Sequence, residues 1–315
     1  MSKIAITDYF DSPGIEEKKV LGDLVGMEIS EETEVLLVWH LPINEKTIGH
    51  LKNIKGVQRY GVGFDNLDLT YLKSRGIIAC NNPAYGVDEV SDTAIAFIMA
   101  ISRGILSYDA HARYHKETWQ ENINLSIKRV NQTKLGVVGA GRIGTSVLLK
   151  AKALGFQTLF YDPYKESGYE KVVGATRYEA LNEMLNASDI ISVHCPLSKE
   201  TGGLIDEKFL NEMKEGASLV NTARGKLLAN TDSVYEALKT GHISQVFLDV
   251  LPEEPPKQDP LIQAWRNQED WIKGRLLINP HSSYFSQSSI LDLRRGAAEN
   301  ALRLLKNKNP MNVLN

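Results

Sequence analysis

The sequence predicts an α/β protein of two doubly wound domains with parallel sheets. Three observations carry this. Short apolar runs alternate with helical stretches along nearly the whole chain, a glycine-rich strand-to-helix turn begins only at residue 139 of 315, and an amphipathic helix closes the sequence. Strands that alternate with helices form parallel sheets covered on both faces. The length suits about two domains of ordinary size. A hydrophobic content of 43% with 24% charged residues is enough to bury a sizeable core.

In chain order, the first strand candidates are Lys3–Thr7, Val35–His40, Val57–Tyr60 and Ile77–Cys80. Helical stretches Asn44–Lys52 and Leu69–Ser74 lie between them, the second stopped by Gly76. Asp88–His115 reads as one long helix, with Val90, Ala94, Phe97, Ile98 and Ile101 on one side, long enough to bridge two domains. Leu135–Val138 is a buried-strand run, followed by the glycine turn, a helix and a strand ending at Asp162. Ile190–Cys195, Ser218–Asn221, Gln245–Val250 and Leu276–Ile278 continue as strands, separated by helical segments Glu179–Asn186, Asp206–Met213 and Thr231–Leu238. Pro252–Pro260 is proline-rich and cannot continue either element. Ser286–Leu305 is the final amphipathic helix. A chain that enters one domain, builds a second and ends in a helix can return to the first. The expectation is therefore a discontinuous first domain and a cleft between hinges near residues 100 and 286. No internal repeat or low-complexity tract interrupts the pattern.

Composition narrows the function. The net charge of −3 leaves no basic excess to neutralise phosphates, which argues against nucleic acid and membrane surfaces as partners. Met1–Phe10 lacks a long apolar core, and no apolar run approaches a membrane span. Cys80 and Cys195 lie far apart without metal-site spacing and read as buried free thiols of a cytoplasmic protein. No metal is expected. His111 and His115 stand four apart on the long helix, but no HExxH-type acid accompanies them, and they read as exposed or interface residues.

The glycine turn carries the first chemistry. Gly139 permits the tight exit from its strand, Gly141 lets a pyrophosphate approach the backbone, and Gly144 lets the next helix pack on the sheet. That helix presents N–H groups and a partial positive charge to phosphates. Asp162, 18 residues beyond Gly144 (162 − 144), ends the following strand where it can accept hydrogen bonds from an adenosine ribose. The order of strand, glycines, helix, strand and acid points to a dinucleotide, and the acid to NAD over NADP.

Further motifs follow: Val-Asn221-Thr-Ala-Arg224-Gly225, Leu-Asp249-Val-Leu-Pro-Glu-Glu254-Pro255 and Asn-Pro280-His281-Ser-Ser. With the glycine turn, they make the chain resemble the D-isomer-specific 2-hydroxyacid dehydrogenases over almost its whole length. Gly61-Val-Gly63-Phe-Asp65-Asn66 resembles the family's substrate loop, and Met-Asn-Val-Leu-Asn its usual ending. Tyr161-Asp162-Pro163-Tyr164, Phe64-Asp65-Asn66 and the residues after His281 look closest to the C-terminal-binding-protein branch, which includes NADH-binding corepressors. The resemblance implies a Rossmann NAD-binding domain, residues 101–286, inserted in a discontinuous flavodoxin-like substrate domain, residues 1–100 plus 287–315.

The proposed chemistry also suits the residues themselves. Hydride exchange between a 2-hydroxy acid and nicotinamide requires a held carboxylate, a polarised carbonyl and a proton carrier. Arg224 offers an always-charged fork. His281 is the natural acid/base, since histidine ordinarily titrates near neutrality. Glu254 can orient the imidazole and favour its charged form. Taken singly, they read better as a surface ion-pair partner, a solvated loop acid and a loop histidine; together with the glycine turn they read as a triad. By resemblance they match the family's triad, with Glu254 rather than Glu253 as the acid because it directly precedes the proline.

The remaining contacts come by resemblance alone. Arg142 and Ile143 would lie beside the pyrophosphate. His194 and Cys195 belong to a segment lining the cofactor cleft, and Pro196 and Leu197 would flank the adenosine. Thr222 and Ala223 would approach the nicotinamide, and Asp249 would accept from its carboxamide. Val62 and Gly63 would offer N–H groups to the substrate carboxylate. Arg59 fits an anion-holding role and a structural ion pair equally, and His40 fits the pocket rim or an ordinary loop. Tyr284 stands where the corepressor branch has tryptophan. Two departures bear on the substrate: the Tyr284–Phe285 aromatic pair and the long 261–275 connection, whose Trp265 and Trp271 suggest a packed helical insert.

The implied partner is a small 2-hydroxy or 2-keto acid, and the implied assembly a homodimer through the nucleotide domain. The runner-up function is an NADH-sensing, corepressor-like binding protein. A phosphoglycerate-type substrate would need more cations in the substrate loop than Arg59 supplies.

Overall fold

The computed structural model describes residues 2–8, 14–114, 119 and 127–315. The chain forms two compact units, Met1–Val87 with Phe285–Asn315, and Asp88–Tyr284. His115 lies outside the described residues.

In the first unit the strands are β1 (Ile4–Ile6), β2 (Val25–Gly26), β3 (Val35–Val38), β4 (Gly56–Arg59) and β5 (Ile78–Cys80). They pair in parallel in the order β2-β1-β3-β4-β5. This is the flavodoxin-like 2-1-3-4-5 order. Both faces of the sheet are covered, so Ile4–Ile6 and Val35–Val38 are continuous apolar runs, all buried. The expected strand Val35–His40 stops at Val38 because the carboxylate of Asp8, rather than a neighbouring strand, takes the N–H groups of Trp39, His40 and Leu41. The expected helix Asn44–Lys52 is only Glu45–Ile48, opened by reciprocal Asn44–Thr47 capping and followed by Gly49. Leu69–Ser74 is the helix the sequence predicts, with the side chain of Asp68 accepting from the Tyr71 N–H.

The C-terminal helix Gln287–Leu305, capped by Ser286, returns to this unit and packs on β3, β4 and the helix Ile15–Leu21. Its buried face carries a cation. Arg294 makes a two-pronged pair with Glu17, Nε to Oε1 at 2.9 Å and Nη2 to Oε2 at 2.6 Å. The Tyr60 hydroxyl also donates to Glu17 Oε1, at 2.8 Å. Glu17 and Tyr60 are fully buried and Arg294 is 3% exposed, so the three form a sealed polar network.

In the second unit the strands are β6 (Lys134–Val138), β7 (Gln157–Tyr161), β8 (Thr176–Arg177), β9 (Ile190–Val193), β10 (Ala217–Asn221), β11 (Ile243–Leu248) and β12 (Leu276–Ile278). All are parallel, in the order β12-β11-β10-β9-β6-β7-β8. Counted from β6, this is the 3-2-1-4-5-6 dinucleotide-binding order with one strand added. One face of the sheet buries Phe97, Ile98, Val147, Leu148 and Phe247, and the other Leu185, Phe209, Leu219, Leu261 and Ile262.

The single helix expected over 88–115 is two, Val87–Ser102 and Ile105–Tyr114, bent by 58°. Gly104 adopts φ +60°, a left-handed conformation that ends the first helix. Val90, Ala94, Phe97, Ile98 and Ile101 are buried as the pattern requires. The last four join the core of the second unit, so the chain crosses between units at 87/88, not near residue 100. The second crossing, 284/285, adjoins the hinge expected near 286. Among the described residues no single helix is long and apolar enough to cross a membrane.

The 261–275 connection is a packed insert. Asp259 caps the helix Pro260–Arg266, Trp265 packs on the core, and Trp271 meets Tyr235 edge-to-face at 5.1 Å. Among the described residues, the strands β2 and β8 and the α-helices Ile15–Leu21 and Tyr169–Val173 escaped the sequence reading. Cys80 is buried as expected, while Cys195 is only half-buried; neither forms a disulfide.

Candidate active site

Parallel strands bring the turns at their C-terminal ends to one edge, and in the second unit nearly every expected site residue lies there. Gly139 follows β6, Asp162 β7, His194 β9, Thr222 β10 and Asp249 β11, and His281 comes three residues after β12. The order reverses between β6 and β9, the place where such sheets bind ligands.

The glycines act as their positions require. Gly139 has φ +89°, and a Cβ there would lie 2.7 Å from the Cys195 amide nitrogen. A Cβ on Gly144 would stand 2.0 Å from the Gly139 carbonyl oxygen. At Gly141 a Cβ would meet nothing within 4 Å, so the space beside this backbone is open. The helix Arg142–Ala153 starts there, with Arg142 exposed and Ile143 against the core. Asp162 steadies the turn: Oδ2 accepts from the Ala140 N–H at 2.8 Å and Oδ1 from the Tyr164 N–H at 2.9 Å. His194 and Cys195 lie beyond β9, which ends at Val193 rather than 195. Pro196 and Leu197 enter a turn fastened by Ser198 and Thr201.

Arg224, Glu254 and His281, expected as a triad, lie on three loops of this edge. Buried Asn221 braces the first: its side chain accepts from the Ala223 N–H and donates to the Arg224 carbonyl, both at 3.0 Å. Arg224 Nη1 donates to the Ala223 carbonyl. Gly225 lies so close to the Leu251 carbonyl that a Cβ would be 1.8 Å from it, which brings the arginine loop against the Glu254 loop. Glu254 Oε1 accepts from the Leu251 N–H at 2.9 Å, and Oε2 is 2.7 Å from His281 Nδ1. Glu253 pairs with Lys257 instead. Burial alone would raise the Glu254 carboxyl pKa. The hydrogen bond and charge of His281, the Leu251 N–H and the charge of Arg224 outweigh it and hold the pKa below the usual 4.5. Glu254 is therefore ionised at neutral pH.

His281 sits at φ +53°, which is rare for a side chain other than glycine and typical of over-determined functional positions. Asp249, 1% exposed, enforces it. Its carbonyl accepts the His281 N–H at 2.8 Å, and its carboxylate accepts the N–H groups of Ser282 and Ser283 at 2.9 and 3.1 Å. The carboxylate expected to meet a carboxamide is thus anchored in the histidine turn. The ring of Tyr284 stands edge-on to His281, 6.3 Å away.

Two hydroxyls of this edge are unsatisfied. Thr222 Oγ1 and Ser283 Oγ are buried without a hydrogen-bond partner among the described residues. Buried hydroxyls are normally satisfied, and these flank the end of β11, so together with the open Gly141 backbone they fit a polar ligand lying along this edge. His194 is different: Nε2 meets Ser192 Oγ at 2.8 Å, and desolvation pushes the imidazole down to about 3. It stays neutral and is no proton carrier at physiological pH. Burial likewise pushes the Cys195 thiol up to about 11.

The expected substrate residues Arg59, Val62, Gly63 and His40 belong to the first unit, at the C-terminal ends of β3 and β4. Asn81 Nδ2 donates to the Val62 carbonyl at 2.6 Å and shapes the loop. His40 is exposed, and the Arg59 guanidinium lies over the Trp39 ring, 5.2 Å from its centroid. Sequence reasoning missed Asn221, Asp8 and Trp39. For Asn221 the one signal was a buried amide at a strand end beside the arginine loop.

Residues 95–283 match the model of the D-isomer specific 2-hydroxyacid dehydrogenase NAD-binding domain. The chain belongs to that family. It is 33% identical over 277 residues to a glyoxylate reductase of Korarchaeum cryptofilum, covering 87% of this chain and 80% of that one. It is 30% identical over 296 residues to C-terminal-binding protein 1 of Caenorhabditis elegans, covering 90% of this chain but only 39% of that longer protein. A D-lactate dehydrogenase from Aquifex aeolicus, solved with NAD and lactic acid, superposes with a TM-score of 0.83 at 26% identity over 96% of each chain. The protein is an NAD-dependent D-2-hydroxyacid dehydrogenase, and its family acts on small 2-hydroxy and 2-keto acids.

Proposed function

We propose that Arg224, Glu254 and His281 carry a reversible reduction of a small 2-keto acid, glyoxylate-like in size, to the D-2-hydroxy acid. The observation that carries this is the 2.7 Å contact between His281 Nδ1 and Glu254 Oε2 at the strand edge that holds the glycine turn. Because Nδ1 is engaged, Nε2 is left to meet the substrate oxygen. Arg224 holds the carboxylate and polarises the carbonyl; in the first unit, the N–H groups of Val62 and Gly63, with Arg59, are the anion-binding groups. When bound, the reduced nicotinamide supplies the hydride. His281 Nε2 gives its proton to the carbonyl oxygen, and ionised Glu254 balances the imidazolium beforehand. Oxidation runs the same steps backward.

The role fixes the sign of the pH dependence. Reduction needs His281 protonated, so its kcat/KM falls as pH rises; oxidation needs it neutral, so its kcat/KM rises over the same range. Profiles in both directions, taken with saturating cofactor, check this. Parallel profiles would mean that another group moves the proton.

Asp162 also sets the cofactor. A 2′-phosphate beside it would meet like charge, at an effective dielectric near 20 a cost on the order of several kcal/mol before relaxation. The nearby cations are already engaged: the Lys165 ammonium lies over the Tyr169 ring at 4.6 Å, and Arg177 Nη1 donates to the Lys165 carbonyl. NADH is therefore preferred to NADPH, and Asp162→Ser narrows the gap, measured as the ratio of kcat/KM values. Equal efficiency of the unaltered enzyme with both cofactors would contradict this.

The assembly is a homodimer through the second unit. Ile105, Tyr108 and Trp119 are 55%, 39% and 61% exposed, an apolar and aromatic surface of the kind subunit contacts use. Light scattering across micromolar concentrations reads a dimer mass; a monomer throughout would refute it.

A further inference from the structure

We propose that Trp39 is a positioning residue for Arg59, a built aromatic platform that fixes the guanidinium in readiness for the substrate carboxylate. This rests on the reading above that Arg59 contacts that carboxylate.

The platform is rigid by construction. Trp39 is 7% exposed. Its N–H is held by Asp8 Oδ1 at 2.9 Å, and the next residue but one, Leu41, is held by Oδ2 at 2.7 Å, so one carboxylate from the end of β1 pins the loop that carries the ring. Burial would raise the Asp8 pKa, but the Thr7 hydroxyl and these backbone N–H groups outweigh it and keep the carboxylate ionised. The indole meets Tyr60 edge-on at 6.1 Å. Tyr60 is itself locked through Glu17 to Arg294 of the C-terminal helix. Residue 61 is glycine, and a Cβ there would come within 3.0 Å of Arg59 Nη1.

The 5.2 Å separation of the guanidinium carbon from the indole centroid is within cation–π range, and tryptophan is the strongest aromatic partner. A ring differs from a carboxylate in a way that matters here. It confines the plane of the guanidinium without neutralising the charge or occupying the in-plane N–H groups that recognise a carboxylate. Ordering that long side chain in the free enzyme removes an entropic cost from substrate binding. The ring therefore acts on affinity for the anion and not on hydride or proton transfer.

The test is a double-mutant cycle of Trp39→Leu and Arg59→Gln, read with whichever of glyoxylate, hydroxypyruvate and pyruvate is reduced fastest. Trp39→Leu is expected to raise KM roughly 3- to 30-fold, with kcat within about twofold and NADH affinity unchanged. In the Arg59→Gln background the same change adds little. Trp39→Phe, which keeps an aromatic face, recovers much of the loss, and the non-aromatic Trp39→Met carries the cycle should the leucine variant not fold. If Arg59→Gln leaves KM unchanged, the carboxylate role of Arg59 is wrong and the platform falls with it. If Arg59→Gln raises KM but replacing Trp39 does nothing, or acts undiminished without Arg59, the positioning role alone is overturned.

Discussion

Replacing His281 by alanine slows keto-acid reduction by roughly 10²–10⁴-fold, the usual scale for a positioned acid/base. NADH affinity changes little, because the substitution does not touch the Gly139–Gly144 turn or Asp162, the groups proposed to hold the dinucleotide. Glu254 and Asp249 keep their backbone contacts to Leu251, Ser282 and Ser283, so the loop persists. The side chain lost is half-exposed and its hydrogen bond goes to Glu254, so stability changes far less than rate. Pre-steady-state reduction with bound NADH separates the chemical step from product release. Near-normal turnover by the variant would show that some other group donates the proton.

Glu17→Gln destabilises the first unit by about 3–5 kcal/mol, the usual penalty for breaking a buried ion pair from one side. Glu17 is fully buried and Arg294 nearly so, and the substitution takes away the carboxylate charge that both prongs of the guanidinium reach. The Tyr60 hydroxyl would keep an oxygen to donate to, so the effect isolates the charge. Removing both charges together, as Glu17→Gln with Arg294→Met, costs much less than Glu17→Gln alone, because the guanidinium goes with its carboxylate. Chemical denaturation followed by a probe in this unit measures both variants. A single-variant loss under about 1 kcal/mol would mean that the pair is hydrated in solution and worth no more than a surface bridge.

That ion pair shows where sequence reasoning ends. Its members are 277 residues apart, and Arg294 lies within a segment that read only as an amphipathic helix. The return of that helix to the first unit was legible, because a second domain had been completed before it began. The partner that seals it was not. The turn at Gly139–Gly144 was legible because each glycine answers a local demand, a left-handed φ or a close backbone approach, that no other residue meets. The break at Gly104 was hidden by the apolar pattern, which runs on through Ile105 and Leu106. The two-residue strands β2 and β8 are too short to show a period. At the site, the acid, the arginine and the histidine were each visible at a strand end. Which N–H groups reach the Asp249 carboxylate depends on the path of the turn after β12, and position in the chain does not encode that.

Reduction of glyoxylate, hydroxypyruvate and pyruvate with NADH, followed by the loss of reduced-nicotinamide absorbance for the unaltered protein and for His281→Ala, tests the central claim most directly. The account predicts turnover of at least one of the three acids by the unaltered protein, and its loss with His281 while NADH binding persists. Tight NADH binding with no turnover of any of them, or turnover indifferent to His281, would contradict it.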